Sequence, residues 1–248
     1  MDEEILLALR DIIARHPWWA ARAKLILSLL DGLRILPPAS LLEAGCGWGT
    51  NLEALEAIGY QITGLDISRK LLERLDSPDR RLIEADLSQG LPLDPPAYDC
   101  VLALDVIEHI DDDRNAAQEL GRLLKPGGRA IFSVPALPEL YSEFDEVQGH
   151  RRRYTAESLR ACLEGAGLIV QDMLWWGQWM VRVLRTRKTR RRGRPGDAFV
   201  DVYRRYLSLP PWPGLWVMRI MYAIDRRRTL RGQNITGTSL VAVTSRPH

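Results

Sequence analysis

The stretch Leu41–Leu55, LLEAGCGWGTNLEAL, decides how the rest of the chain is read. A short apolar run meets three glycines, Gly45, Gly47 and Gly49, and a helical pattern follows. Glycines let the backbone bend sharply between strand and helix and approach a ligand closely, so such a turn commonly cradles a nucleotide. Asp66 ends the next apolar run, within the roughly 20-residue distance at which an acid meets a ribose diol. The full dinucleotide pattern is GxGxxG, whereas here the glycines read GxGxG, with Thr50 in place of the third glycine. A cofactor without a pyrophosphate does not need that helix N-terminus cleared in the same way.

Outward from this turn, strands alternate with helices. Helical patterns cover Ile5–Ile13 and Arg22–Leu36, separated by HPWW, with Pro37-Pro38 closing the second. Strands are expected at Leu41–Gly45, Gln61–Asp66, Arg81–Asp86, Tyr98–Leu104, Arg129–Val134, Leu168–Leu174 and Ser239–Ser245. Helices are expected at Thr50–Ile58, Ser68–Leu75, from Asp111–Asp113 to Leu124, and at Ala156–Ala166, capped by Thr155 and ended by Gly167. This order implies a largely parallel sheet covered on both faces.

A length of 248 residues fits one elaborated α/β domain, and 46% hydrophobic content argues against global disorder. Cys46, Cys100 and Cys162 are odd in number and scattered, which points to reduced thiols in a cytosolic setting rather than a disulfide framework. His16, His109, His150 and His248 show no metal-ligand spacing with them, so no metal site is expected. The N-terminal segment lacks the charge order of a signal peptide, and no apolar run is long enough for a membrane-spanning helix. The net charge of +2 hides an asymmetry. Residues 1–150 hold 14 basic and 26 acidic residues, a balance of −12, and residues 151–248 hold 20 and 6, a balance of +14. An acidic body therefore carries a basic part that could meet a nucleic acid or an anionic membrane.

Over roughly 39–136 the chain resembles the class I S-adenosylmethionine-dependent methyltransferases. LLEAGCGWG is similar to the first cofactor motif, GLDIS to the ribose-binding end of the second strand, and EADL to the adenine-side acid. YDCVLALDVIEHIDDD resembles the strand-four motif, and LLKPGGRAIFSVP the turn into strand five. The resemblance implies an α/β, Rossmann-like, seven-stranded doubly wound sheet and S-adenosylmethionine as cofactor. It further implies that Glu43, Gly45 and Gly47, with Cys46 in the same loop, surround the methionine part. Asp66 would hold the ribose hydroxyls with Ile67 beside it, Asp86 the adenine amino group with Leu87 against the ring, and Leu104 the sulfonium side. Asp94-Pro95-Pro96 is not the DPPY signature of amino-methylating nucleic-acid enzymes, because it precedes strand four and ends in Ala97. It reads as a rigid loop.

Two further segments resemble a bacterial small-molecule group, many of whose members lie in lipid or polysaccharide pathways. HPWWAARAKLILSLL is similar to its first helix, with Ala20 in place of a common Arg. Arg22 is then a candidate for the methionine carboxylate, and Trp18 or Trp19 for a cover over the site. FDEVQGHRRRYT is similar to the group's segment after strand five, which implies Asp145 and His150 at the acceptor site. A hydroxyl acceptor must lose its proton, and histidine is suited to take it near neutral pH; a structural His150, fixing the loop onto Tyr154, is the alternative.

About sixty residues separate Leu174 from Ser239, although strands six and seven of this family usually form a close pair. Trp175, Trp176, Trp179, Met180, Val183 and Leu184 recur at helical spacing. The expected organisation is one domain over 1–248, with an N-terminal helical cap at 1–36 and an inserted basic, aromatic lid at 175–237. The expected activity is O-methylation of a small-molecule or lipid-linked acceptor, in the cytoplasm or peripherally at the inner membrane face through 175–231. An RNA methyltransferase using the basic insertion and a non-catalytic S-adenosylmethionine-binding protein are the alternatives.

Overall fold

The uninterrupted apolar run YDCVLAL becomes the central strand β4 (Tyr98–Leu104), and nearly all of it is buried. A strand covered on both faces has no solvent side to keep polar, so it shows no alternation. In the computed structural model, which describes residues 10–78, 80–94, 97–190 and 199–247, β4 pairs in parallel with β1 (Ser40–Ala44) and β5 (Leu124–Pro135). β2 (Gln61–Asp66) and β3 (Arg81–Glu84) extend the parallel part beyond β1. β7 (Ser239–Ser245) runs antiparallel between β5 and β6 (Ile169–Trp176). The seven-stranded order is β3-β2-β1-β4-β5-β7-β6. Winding reverses between β1 and β4, so the chain leaves a crevice at their carboxyl ends, where α/β sheets bind ligands.

Alternate strand residues serve two cores. Leu42, Ala44, Val101, Ala103 and Phe132 face one side, packing with α5 (Asp113–Arg122) and α7 (Ala156–Gly165). Leu41, Cys100, Leu102 and Ile131 face the other, against Leu25, Ile26, Leu29 and Leu30 of α2 (Pro17–Gly32). α1 (Arg10–Arg15) precedes α2, and α3 (Thr50–Glu56) and α4 (Arg69–Leu75) follow β1 and β2.

α2 begins at Pro17, not at Arg22 as the sequence pattern implies, and HPWW is its first turn rather than a separator. His16 is the N-cap, its Nδ1 accepting from the Trp18 N–H at 3.2 Å. Proline is favoured at the first helical position because its missing N–H would have no partner there. The helix expected at Ile5–Ile13 lies mostly outside the described residues, as do Pro95 and Pro96.

The segment expected as a plain loop after β5 contains a short helix, α6 (Glu143–Gln148). Between β6 and β7 lie α8 (Met180–Arg190), α9 (Phe199–Tyr206) and α10 (Gly214–Leu230). Trp175 and Trp176 are not on a helix with Trp179, because β6 continues through both. Strand alternation then buries Trp176 completely, while the Trp175 Nε1–H donates to Asn234 Oδ1 at 3.0 Å. Among the described residues no helix is long and apolar enough to cross a membrane. Part of the basic run from Arg185 to Arg194 lies outside them.

Candidate active site

The glycine turn lies at the carboxyl end of β1. Gly45 has φ +69°, and a Cβ there would come within 2.6 Å of Val106 Cγ2. Gly47, at φ +52°, would meet nothing within 4 Å, so its face of the turn opens onto free space. Asp66, at the end of β2, ties the turn down. Its Oδ2 accepts from the Gly47 N–H at 2.8 Å and its Oδ1 from the Ser68 N–H at 2.9 Å. Burial pushes the Asp66 carboxyl up, partly offset by these N–H donors. The helix that follows is capped by Ser68 rather than by Asp66.

A cavity of about 470 Å³ opens above this turn and runs beneath the helices of the insertion. Glu43, Gly45, Cys46, Gly47 and Leu104 line one end together with Arg22. Glu43 Oε1 accepts from Asn51, while its Oε2 is buried without a protein partner. Burial pushes Glu43 up to about 7, against the pull of Asn51 and the Arg22 charge. Arg22 pairs with Asp105, whose Oδ1 accepts from Ser133 Oγ at 3.1 Å. Arg22 Nε, like Glu43 Oε2, has no protein partner. Burial also raises the Cys46 thiol, which keeps it protonated. Trp18 and Trp19 both reach the cavity wall.

His150 lines the far side. Its Nδ1 lies 3.0 Å from Asp145 Oδ1, which makes Nδ1 the donor and leaves the Nε2 lone pair free. Asp145 is fully buried and also accepts from Arg153 Nε at 2.7 Å, Arg153 Nη2 at 3.1 Å, and the Ser142 N–H and Oγ. Burial pushes Asp145 up, but the His150 hydrogen bond and the Arg153 guanidinium outweigh it and hold the carboxyl below its usual range. Glu108 Oε1 stands 3.9 Å from His150 Nε2, and neither Glu108 oxygen has a hydrogen-bond partner. Burial, with Asp105 nearby, raises Glu108 well above the usual carboxylate range. His109 sits edge-on to His150, with ring centroids 4.7 Å apart. Burial, with His150 beside it, pushes His109 down to about 3, so its ring is neutral.

The fold therefore brings Arg22, Glu43, Gly45, Cys46, Gly47, Leu104 and His150 to one space. Asp145 is not on the cavity wall, and its contacts make it the residue that orients His150. The His150 ring pairs with Asp145, and the Tyr154 hydroxyl donates to Asp113 at 2.7 Å. Asp66 lies behind the glycine turn, Ile67 is exposed, and Leu87 belongs to the core. Asp86 lines a separate surface depression and accepts from the Ser88 N–H at 2.9 Å. Sequence spacing shows no metal-ligand set, yet Glu108, His109 and His150 each offer a ligand atom within 4.8 Å of the others, so these three could hold a cation. Sequence reasoning also does not reach Asn51, Asp105 and Glu108, nor the aromatic roof of Trp48, Phe144, Tyr203 and Tyr206. Asn51 alone carried a signal, as the second residue of the helix after the glycines.

A family model described as a methyltransferase domain matches residues 18–172. The ubiquinone biosynthesis O-methyltransferase of Paracidovorax citrulli is 29% identical over 135 residues, 48% of this chain and 57% of that protein. The malonyl-[acyl-carrier protein] O-methyltransferase of Pseudescherichia vulneris is 31% identical over 164 residues, 63% of this chain and 61% of that protein. The chain thus spans less than two thirds of the length of these relatives. An S-adenosylmethionine-dependent methyltransferase from Clostridium acetobutylicum has the same fold, with a TM-score of 0.56 at 13% identity over 93% of this chain and 92% of that one. With its matched domain, sheet order and glycine turn, this chain belongs to the class I S-adenosylmethionine-dependent methyltransferase family.

Proposed function

We propose that the protein transfers the methyl group of S-adenosylmethionine to a hydroxyl oxygen of a small-molecule or lipid-linked acceptor. One observation carries this reading: the glycine turn and the His150 imidazole face the same cavity. The residues present fit the donor. Glu43 Oε2 and Arg22 Nε are buried without a protein partner, and they match the ammonium and carboxylate of a methionine. Gly47, at φ +52°, presents an open face of the turn to the cavity. Asp66 and Ile67 would take the ribose, Asp86 and Leu87 the adenine, and Leu104 the sulfur side, with Cys46 a small neutral part of the turn. Such a donor supplies an electrophilic methyl carbon on a cationic sulfur.

The chain's own contribution is alignment and proton removal. Holding two reactants in line replaces a bimolecular encounter, which is the main source of acceleration available here. Burial raises the Glu43 and Glu108 carboxyls, and a cationic donor in the cavity would draw them back toward their charged forms. The acceptor hydroxyl loses its proton to His150 Nε2, while Asp145 holds the imidazole by Nδ1. The names of both relatives specify O-methylation, which favours oxygen here. The N-terminal helices α1 and α2 and the helices that follow β6 act as cap and lid of one domain. The lid touches an anionic membrane at the cytoplasmic face, where a lipid-linked acceptor would reside.

Calorimetry tests the donor. S-adenosylmethionine should bind and NAD should not, because the turn lacks the third dinucleotide glycine. Asp66→Ala should weaken binding by about 1–3 kcal/mol through lost charged hydrogen bonds. NAD as the tighter ligand would sink the reading.

A further inference from the structure

The inner face of α10 packs against α2 and β6. Tyr222 stacks on Trp176, Asp225 Oδ2 accepts from the Gln178 N–H at 3.0 Å, and Thr229 Oγ1 donates to the Trp175 carbonyl at 2.7 Å. These contacts fix the rotation of the helix and so decide what it shows to the outside. Outward lie Trp216, Ile220 and Ile224, spaced four apart in one row, with Val217 alongside. Trp212, in the turn before the helix, is 84% exposed and Trp216 is 59% exposed. The same stripe continues toward the helix C-terminus with the exposed Arg227 and Arg231, flanked by exposed Arg228. A contiguous outward patch holding two tryptophans and three aliphatics marks an interaction site.

We propose that this face of α10, with Trp212, is a docking surface for an anionic lipid bilayer. The aromatic rings sit at the headgroup boundary, and Arg227, Arg228 and Arg231 meet lipid phosphates. The chemistry of the patch selects this occupant. Tryptophan is favoured at membrane–water boundaries, where one edge of the ring is apolar and the other wet. Arginines at one end of an apolar stripe suit a helix lying in the interface plane. A nucleic-acid surface would instead distribute cations among its aromatics, whereas two turns here carry Arg219 alone. Charge agrees with this orientation: residues 151–248 carry a balance of +14, and the body carries −12.

The patch also adjoins the cavity. Met218, next to Val217 on α10, and Leu207 and Pro210, just before Trp212, line the cavity wall. A single layer of chain thus separates the docking face from the acceptor space, so docking would bring an acceptor headgroup to the cavity from the bilayer. This last step rests on the methyl-transfer reading; the docking itself does not. The tryptophans that carry it are Trp212 and Trp216, since Trp176 is buried, Trp175 is tied to Asn234 and Trp179 packs on Tyr222.

Co-sedimentation of the full chain with phosphatidylcholine vesicles, with and without phosphatidylglycerol, tests the surface. At low salt the protein should pellet with the anionic vesicles. Trp212→Ala with Trp216→Ala should lower partitioning by about 10-fold, and so should Arg227→Gln with Arg228→Gln. All these positions are exposed, so S-adenosylmethionine affinity should stay at the wild-type value and report an intact fold. No vesicle binding at low salt would overturn the proposal, as would equal binding by both double variants. RNA binding without vesicle binding would overturn it too, and so would a dimer in solution that dissociates on Trp216→Ala while vesicles are ignored. Vesicle binding with no methyl transfer to any acceptor would leave the docking surface standing and remove only the enzymatic reading.

Discussion

Replacing His150 by alanine is expected to cut methyl transfer by about 10²–10⁴-fold, the usual loss when a general base is removed. S-adenosylmethionine affinity should stay nearly intact, because Glu43, Arg22 and the glycine turn line the other end of the cavity. The geometry that motivates this is the 3.0 Å contact between Nδ1 and Asp145, which occupies Nδ1 and leaves Nε2 as the ring nitrogen for the acceptor proton, with Glu108 3.9 Å from it. His150→Gln should not rescue the rate, since an amide cannot accept the proton. A cation held by Glu108, His109 and His150 would give the same loss by another route. Wild-type enzyme treated with EDTA separates the two: the base reading expects an unchanged rate, and a loss would assign the effect to a metal. A His150→Ala rate equal to wild type would return the residue to a structural role.

The central strand β4 was legible because burial on both faces leaves an uninterrupted apolar run, and the glycine turn because glycine takes φ near +60° without strain. Errors fell where two periods compete over a few residues. Trp175 and Trp176 fit a helical stripe continuing to Val183, yet β6 extends two residues beyond Leu174 and sends the two rings to opposite sides. Periodicity alone does not separate strand from helix over so short a run. Pro17 misleads in the opposite direction, since proline reads as a break but opens α2.

Within the site, residues positioned by local backbone could be found, and residues positioned by distant partners could not. Glu43 to Gly47 form one strand end and one turn. Glu108 gains its character from burial beside His150, which arrives from a segment about forty residues later. No local pattern encodes that meeting. Asp145 lies between these cases. Its three-residue offset from Ser142 is a capping-box spacing that announces a helix start, and the structure has that reciprocal cap. What the spacing does not reveal is that the same carboxylate also receives His150 and Arg153.

Asp145→Ala is therefore expected to be the most destabilising single change at the site, costing about 3–5 kcal/mol, as when one partner of a buried ion pair is removed. Five hydrogen bonds converge on this fully buried carboxylate, and the Arg153 side chain, 8% exposed, would be left buried without its partner. Each kcal/mol should lower Tm by about 2–4 °C in a chain of this size. The pH dependence has a definite sign. The folded carboxyl titrates below its unfolded value of about 3.9, so its contribution is complete above that value and disappears as pH falls through the folded one. The gap in stability between wild type and variant should stay level from neutral pH down to about 5 and close in more acidic solution. Glu43, raised to about 7, and Asp225, raised by burial to about 6, act oppositely, favouring the folded state less as pH rises through the interval from their unfolded values. Both are present in wild type and variant, so the difference isolates Asp145. Asp145→Asn, which keeps the shape and loses the charge, should fall between the two. A gap that widens toward acid, or a Tm unmoved by alanine, would mean that Arg153 and His150 hold the loop without it.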